Sequence, residues 1–380
     1  MSIDRQKIKY IGFYQPNCLT TEDRICCVAA TSKMDYICSA LVNAGYDVNI
    51  VSPSWSVNKS GYYHGKHIDI SDNISVTLCP TFGVSNKIMQ GLSILYSWIW
   101  LLFWMLLNVK RNEKIIVYHS LWIISPLSLA MKIKKFKIVL EVEEIYCKVY
   151  QYHPYIVKLE QNIISRADSY IFPNDIMSDI VNLSAKPHVV IYGVYEKHAR
   201  HAGPAEDGKV HLVYAGIIDK HKAGAFNAVE SAKYLDNSYI MHILGFGDRE
   251  SLQQAIDANL TLDGCKVILH GMKTRSEYLE FMQTCHIGLS TQNADGAYAD
   301  YQFPSKILSY LSLGLKVVSS GITCVTKSKI GDNITYYTED TPAGIAEAIK
   351  SIDIKQDCNT AQIIKELDAD FTNDIKNLLQ

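Results

Sequence analysis

Residues 303–320 read Phe303-Pro304-Ser305-Lys306-Ile307-Leu308-Ser309-Tyr310-Leu311-Ser312-Leu313-Gly314-Leu315-Lys316-Val317-Val318-Ser319-Ser320. This order predicts a loop, a short helix, a stop and a buried strand. Pro304 suits the first helical turn, where its fixed φ and missing N–H cost nothing. Gly314 suits the left-handed residue that ends a helix. The helix start follows the apolar segment His286-Ile287-Gly288-Leu289-Ser290 by one loop. It is therefore expected near the carboxyl ends of strands, where open α/β sheets bind ligands. Free N–H groups at a helix start, with Ser305 and Lys306 beside them, suit a diphosphate. The plain alternative is one more strand–helix unit of a packed domain.

Working outward, short apolar runs alternate with helical patterns along the whole chain, which favours parallel sheets. Strands are expected near 8–14, 46–52, 115–119, 137–142 and 169–172, with helices near 23–44, 87–109, 121–132 and 155–166. Gly45 would close the first long helix. Residues 192–209 are polar and hold Gly193, Gly203, Pro204 and Gly208, which reads as a linker. Beyond it, strands are expected near 210–216, 239–244, 266–270, 286–290 and 315–319. These boundaries divide the chain into domains 1–195 and 205–358 and a terminal helix, 359–380, expected to pack back on the first domain.

The chain has 380 residues, enough for two domains, and 48% of them are hydrophobic, so a sizeable core is expected. The net charge of −2 argues against general nucleic-acid binding. Ten cysteines are scattered without a CxxC pair. That usage predicts reduced thiols in a cytoplasmic protein and no zinc site. No secretory leader is expected at the polar N-terminus.

The segment Leu92 to Leu107, LSILYSWIWLLFWMLL, includes Trp98, Trp100 and Trp104. Sixteen helical residues span about 24 Å, short of the ~30 Å of a bilayer core. Two readings remain: a core helix covered on all sides, and a helix lying in a membrane interface. Between Lys110 and Lys137 stand seven basic residues (Lys110, Arg111, Lys114, Lys132, Lys134, Lys135, Lys137) and one acid, Glu113. Clustered cations attract anionic head groups, so peripheral contact at the inner face of the cell membrane is an expectation.

The run FPSK…Y…G…VV resembles the donor-binding segment of GT-B glycosyltransferases. It is most similar to the family-4 type (glycosyl transferases group 1) that builds bacterial capsule and exopolysaccharide. Upstream motifs follow in the expected order: Leu212-Val213-Tyr214-Ala215-Gly216-Ile217-Ile218 with Lys220 and Lys222, Ile243-Leu244-Gly245-Phe246-Gly247, and Val267-Ile268-Leu269-His270-Gly271. The resemblance covers the C-terminal half. The N-terminal half is similar more loosely, through Glu141-Val142-Glu143-Glu144-Ile145-Tyr146 and the region of Arg24, Lys33, Met34 and Tyr36. It implies two Rossmann-like domains facing a central cleft, the first binding acceptor and the second a nucleotide-diphosphate sugar. That sugar is a substrate, and no cofactor or metal is expected. The acceptor is expected to be a hydroxyl of a lipid-linked molecule or an oligosaccharide.

The implied donor residues are Gly216, Lys220, Lys222, Gly245, Gly247, Asp295, Ser305 and Lys306. Lys306 would neutralise the leaving diphosphate, and Lys220 or Lys222 would supply a second cation. A solvated loop is the plain alternative for the last two. Asp295 lies in a polar loop, 291–302, suited to the donor sugar. Gly245 and Gly247 suit either close ligand approach or strand packing, and Asp248 suits a helix cap. Where relatives carry an early arginine, this chain has Ile217 and Ile218. Where many carry two glutamates eight positions apart, it has Tyr301 and Ser309. The carboxylate contacts to donor sugar and ribose are therefore expected to be absent or supplied differently.

In the first half, His119 ends the strand Lys114 to Tyr118 at its carboxyl end, facing the cleft, where the resemblance implies a histidine near the reacting sugar; a structural histidine is the plain alternative. Glu141, Glu143 and Glu144 follow the next strand. At least one should be exposed, because three buried carboxylates are costly. Glu143 or Glu144 would take the acceptor's proton. Arg24 and Lys33 would either hold an acceptor phosphate or lie on a solvated helix face. Asp368-Ala369-Asp370 mimics a metal-binding DxD triplet but falls in a helical tail, where a solvated or capping pair is expected. The rivals to a transferase are a sugar-nucleotide epimerase of the same architecture and a non-catalytic nucleotide-sugar-binding partner.

Overall fold

Strands rich in Ile, Val and Leu, such as Lys114–Tyr118 (KIIVY) and Lys137–Glu141 (KIVLE), are buried almost throughout, as the inner strands of a parallel sheet covered on both faces must be. The computed structural model describes residues 5–199, 201–221, 223–259, 262–293, 303–356 and 359–380. The chain divides into two units. Unit 1 comprises Met1–Pro173, Met177–Ile191 and Asp370–Gln380, and unit 2 comprises Asn174–Ile176 and Tyr192–Ala369.

Unit 1 holds β1 (Gln6–Ile11), β2 (Tyr46–Ser52), β3 (Tyr62–Tyr63), β4 (Lys66–Ser71), β5 (Ile74–Leu78), β6 (Thr81–Phe82), β7 (Lys114–Tyr118), β8 (Lys137–Glu141), β9 (Ser169–Phe172) and β10 (His188–Val190). Eight form one sheet in the order β10-β9-β8-β7-β1-β2-β5-β4. All its pairings are parallel except β4 with β5. β3 and β6 form a separate antiparallel pair. The sequence reading did not include the segment 62–82, whose strands are short or polar. The exposed, charged β4 closes the sheet edge, the usual protection of an edge strand. The first long helix runs Val28–Asn43 rather than from residue 23. The Arg24 N–H is taken by Gln15 Oε1 at 2.6 Å, and Arg24 pairs across a bridge with Ser56, which holds this stretch off a helical path.

Unit 2 holds β11 (Val210–Ile218), β12 (Tyr239–Gly247), β13 (Lys266–Gly271), β14 (Ile287–Ser290), β15 (Lys316–Ser320) and β16 (Thr335–Tyr337). They form one wholly parallel sheet, β13-β12-β11-β14-β15-β16. One core joins Leu212, Tyr214, Met241, Ile243, Ile287 and Val318 to the helices Gly224–Ser231 and Pro342–Lys350. Tyr192 and Tyr195, expected in a polar linker, are buried in this unit, and Tyr192 stacks on Phe303 at 5.0 Å. The terminal helix Thr360–Leu379 begins in unit 2, and its residues from Asp370 onward belong to unit 1. There Phe371 and Ile375 are buried, and Lys114 Nζ donates to the Leu378 carbonyl at 2.7 Å.

Candidate functional site

In unit 2 the winding reverses between β11 and β14. Such a reversal opens a crevice at the carboxyl ends of the strands, the usual ligand position in this architecture. Lys306 stands there. Its Nζ lies 4.0 Å from the centre of the Tyr214 ring, close enough for a cation–π contact. A Cβ on Gly216 would sit 3.2 Å from that Nζ, so the missing side chain lets the ammonium approach the end of β11.

The helix Lys306–Ser312 is fixed by Tyr310, whose fully buried hydroxyl accepts from the Ala215 N–H at 2.9 Å and donates to the Leu289 carbonyl at 3.2 Å. The Tyr310 ring covers Gly288, where a Cβ would come within 2.4 Å of it. One tyrosine thus ties the helix carrying Lys306 to both strands flanking the reversal. Nothing in the sequence pattern marks Tyr310 and Gly288 for this role, because they meet only across the fold.

The expectation of free N–H groups at the helix start is only partly met. Those of Ile307 and Leu308 turn inward to the carbonyls of Pro304 and Ser305. Seven residues also sum few peptide dipoles. The lysine ammonium is therefore the stronger source of positive potential. Ser305 is exposed and makes no capping hydrogen bond.

Beside Lys306, a hollow of about 290 Å³ opens at the ends of β11, β12 and β13, lined by Gly216, Ile217, Gly245, Phe246, Met272 and Lys273 among others. Its size approaches the lower end of small-molecule sites, about 300 Å³. Gly245 is required by the sheet itself, because a Cβ there would lie 1.8 Å from the Gly216 carbonyl oxygen at φ +147°. Gly247 meets the Ile218 oxygen in the same way, at 2.2 Å. Strand packing thus accounts for both glycines, and the hollow is a consequence. A larger hollow of about 550 Å³ lies near the amino ends of β14 and β15, beside the carboxyl ends of two helices. Its lining also includes Lys316, Lys355 and the amino end of the helix Thr360–Leu379.

Lys220 is exposed and pairs with Asp248 at 3.4 Å, while Asp248 caps the next helix by accepting from Ser251 N–H at 3.1 Å. Lys222 and Asp295 lie outside the described residues, as does Tyr301. Ser309, at the other glutamate position, is exposed on the helix.

The sheet face that supplies Ala215 and Leu244 to the hollow carries a row of imidazoles one step down the strands. His211 Nδ1 is 2.9 Å from His242 Nε2, and His242 Nδ1 is 3.0 Å from His270 Nε2. His211 Nε2 faces both Asp207 oxygens at 3.2 Å. A carboxylate only accepts, so His211 carries a proton on Nε2 and donates it to Asp207; with His211 neutral, His242 and His270 donate from Nε2 along the row. Phe281 covers His242 and His270. Burial, then His211 and His270, push His242 down to about 3. The sequence gives no period for this row, because the residues lie on three strands in diagonal register.

In unit 1 the end of β8 is densely ionisable. Glu141 is fully buried, accepts from the Tyr10 hydroxyl, and is pushed up to about 8 by burial and then by Glu143. Glu143 is partly exposed and pairs with Lys33 at 2.5 Å. Lys33 Nζ also donates to the Ile191 carbonyl at 3.2 Å.

Three expectations change here. His119 does not face open space. Its ring is buried, Nδ1 lies 3.0 Å from the Glu144 carbonyl, and Nε2 lies 3.5 Å from buried Glu160. Burial lowers its pKa, and its contact is with the backbone of Glu144. Arg24 is neither solvated nor on a helix. It is buried against Glu22 at 2.7 Å and donates to the carbonyls of Ser54 and Cys79. Lys33 is buried and engaged by Glu143. In the tail, Asp368 pairs with Lys197. Among the described residues no group of three or more His, Cys, Asp or Glu side chains could hold a metal ion.

No protein-family model matches the sequence, and no curated protein matches it. Solved structures match over almost the whole chain. A UDP-forming α,α-trehalose-phosphate synthase from Burkholderia xenovorans is 10% identical with a TM-score of 0.62, covering 99% of this chain and 100% of that one. The lipopolysaccharide outer core galactosyltransferase WaaB in its apo form is 13% identical with a TM-score of 0.59, covering 98% and 99%. HepE of Anabaena in complex with UDP and glucose is 11% identical with a TM-score of 0.58, covering 98% of each. At such identity the likeness shows the fold alone: the chain has the GT-B fold.

Proposed function

We propose that this protein is a glycosyltransferase of the family-4-like type. It would move a sugar from a nucleotide diphosphate to a hydroxyl of a lipid-linked or oligosaccharide acceptor in surface polysaccharide synthesis. The observation that carries the reading is the Lys306 ammonium, held by Tyr214 and the Tyr310-anchored helix beside the open end of β11 and its hollow. In the reaction the bond from the anomeric carbon to the diphosphate breaks, and a bond to the acceptor oxygen forms. The leaving diphosphate gains negative charge, which a pre-positioned cation stabilises without reorganising. The nucleoside would occupy the hollow. Glu143 and Glu144 are our candidates to receive the acceptor's proton, with Lys33 as counter-ion to Glu143. His119 would position Glu144 through its carbonyl.

The outward apolar face of the helix Lys87–Asn108 supports a lipid-linked acceptor. The nine described cysteines are all free, which supports a reducing, cytoplasmic setting.

The test is a panel of nucleoside diphosphates and their sugars, read by thermal shift and by release of nucleotide with and without membrane extract. A true donor should raise the melting temperature. Lys306→Ala should cut turnover about a hundred- to thousandfold, the cost of removing one transition-state donor. No shift with any nucleotide, or full turnover by Lys306→Ala, would sink the proposal. Binding without turnover would favour the non-catalytic partner. Interconversion of sugars within the donor would favour the epimerase.

A further inference from the structure

The helix Lys87–Asn108 is inverted relative to an ordinary surface helix. Asn86 caps it by accepting from the N–H groups of Ile88 and Met89, both at 3.0 Å. Its inward face carries two serines. Ser93 Oγ lies 3.4 Å from Thr81 Oγ1, and Ser97 Oγ donates to the Pro53 carbonyl. Leu101, Leu102 and Met105 complete that buried face.

The outward face is apolar. Ile88, Leu92, Leu95, Ile99, Phe103 and Leu107 recur every three or four residues, each at least two-fifths exposed, with Leu107 at 79%. This ridge of 19 residue steps runs about 28 Å, and no charged side chain interrupts it from Ile88 to Asn108. An exposed apolar strip of this length on a folded unit marks a contact surface. At 22 residues, about 33 Å, the helix is longer than the sixteen-residue stretch read from the sequence and is long and apolar enough to cross a membrane. Its serine face is already committed to the protein, so it suits lying along a surface and not spanning one.

The occupant is indicated by charge. The helix Leu121–Lys134 packs beside the first and shows Trp122 and Ile133 outward. Backbone bonds from Asn112 N–H to the Lys135 carbonyl, at 3.2 Å, and from Lys137 N–H to the Glu113 carbonyl, at 2.8 Å, knit the segments after the two helices together. Lys110, Arg111, Lys132, Lys135 and Lys137 are all exposed there. Glu113 is neutralised by Lys9 and accepts from the Lys110 N–H at 2.6 Å.

We infer that this ridge and basic patch form one docking surface for an anionic lipid bilayer, with the helix lying in the plane of the interface. The surface is read from unit 1 alone. It rests on the proposed transferase activity only for its purpose, which is to bring the enzyme to a lipid-linked acceptor.

The test is flotation of the full chain, without substrate, on vesicles of phosphatidylcholine and of phosphatidylcholine mixed with phosphatidylglycerol. The mixed vesicles should retain the protein in a salt-sensitive way. Replacing Leu95→Ser and Phe103→Ser together should weaken retention about tenfold or more, since each side chain loses its apolar burial. Replacing Lys132→Gln and Lys135→Gln should weaken it about fivefold per lysine on the mixed vesicles only. These positions are exposed, so unchanged melting temperatures separate lost docking from lost folding. Equal retention of wild type and variants would overturn the inference. So would absence of retention with the ridge instead burying a second copy in a dimer that the serine variant dissolves. Nucleotide binding is read separately, so failure of docking leaves the donor-site reading standing, and the reverse holds too.

Discussion

Both units place parallel strands side by side, yet they furnish the carboxyl ends of those strands in opposite ways. Unit 2 sets Gly216, Gly245, Gly247 and Gly271 in the last three residues of β11, β12 and β13, with the Lys306 cation at the reversal of winding. Unit 1 places Glu141, Glu143 and Lys33 around the end of β8, and beyond β2 sets a buried Arg24–Glu22 pair. The glycines leave room where a polyanion can approach backbone. The charges of unit 1 leave little room, but they hold protons and counter-ions near one another. Space marks the strand ends of unit 2, and ionisable groups mark those of unit 1.

The largest effect should come from adding one methyl group at the glycine ends. Gly245→Ala would put a Cβ 1.8 Å from the Gly216 oxygen at φ +147°. Neither atom is the end of a flexible side chain, so β11 and β12 must separate. The expected loss is about 3 kcal/mol or more, from overpacking and backbone strain. Gly216→Ala meets the mobile end of Lys306 instead and bears only the strain of its φ, +157°; it should cost less stability than Gly245→Ala and weaken nucleotide binding. Urea denaturation followed by circular dichroism separates the two. A Gly245→Ala protein of wild-type stability would remove the claim that these glycines serve the sheet first.

The second contrast is in pH. Glu141 folds with its pKa raised from 4.5 to about 8, so its contribution is complete below about 4.5 and is lost as pH rises through 8. His242 folds with its pKa lowered from 6.5 to about 3. Its contribution is present above 6.5 and is lost as pH falls toward 3. Unit 1 should therefore weaken as pH rises from about 4.5 to about 8, and unit 2 as pH falls from 6.5 toward 3. All five tryptophans, at 55, 98, 100, 104 and 122, lie in unit 1, so fluorescence follows that unit while circular dichroism follows both. Glu141→Gln should flatten the loss that fluorescence follows between pH 4.5 and about 8 and leave the acid loss seen by circular dichroism untouched. Fluorescence and circular dichroism that report one shared pH profile would erase the contrast.

Much of the parallel framework was legible in the sequence because the buried centres of its inner strands are apolar runs, as in β7, β8 and β14. The helix carrying Lys306 was legible from Pro304 and Gly314 at its ends. Other features depend on what lies across the fold. Arg24 looked like a surface residue because its partners, the carbonyls of Ser54 and Cys79, are backbone groups far along the chain. The helix Lys87–Asn108 is apolar almost all round, so periodicity could not say which side faces inward. Ser93 and Ser97, one turn apart, marked the buried side against ordinary expectation. The imidazole row was invisible for a similar reason, since His211, His242 and His270 meet only through strand register.

The smallest effect should be at Lys220, where the same comparison is sharpest. Unlike Lys306, it is held by no ring and no anchored helix, and it pairs in the open with Asp248 at 3.4 Å. Exposed pairs of this kind contribute about 0–1 kcal/mol. Lys220→Ala should therefore leave stability within that range and change donor affinity by no more than about fivefold, the equivalent of 1 kcal/mol. Asp248 would keep its role, because its bond to the Ser251 N–H does not pass through the lysine. Isothermal titration of Lys220→Ala and Lys306→Ala with the same nucleotide sugar decides between them. If Lys220→Ala loses as much as Lys306→Ala, the second cation is part of the phosphate grip, and the strand end of unit 2 carries more charge in its bound state than the one lysine assigned to it.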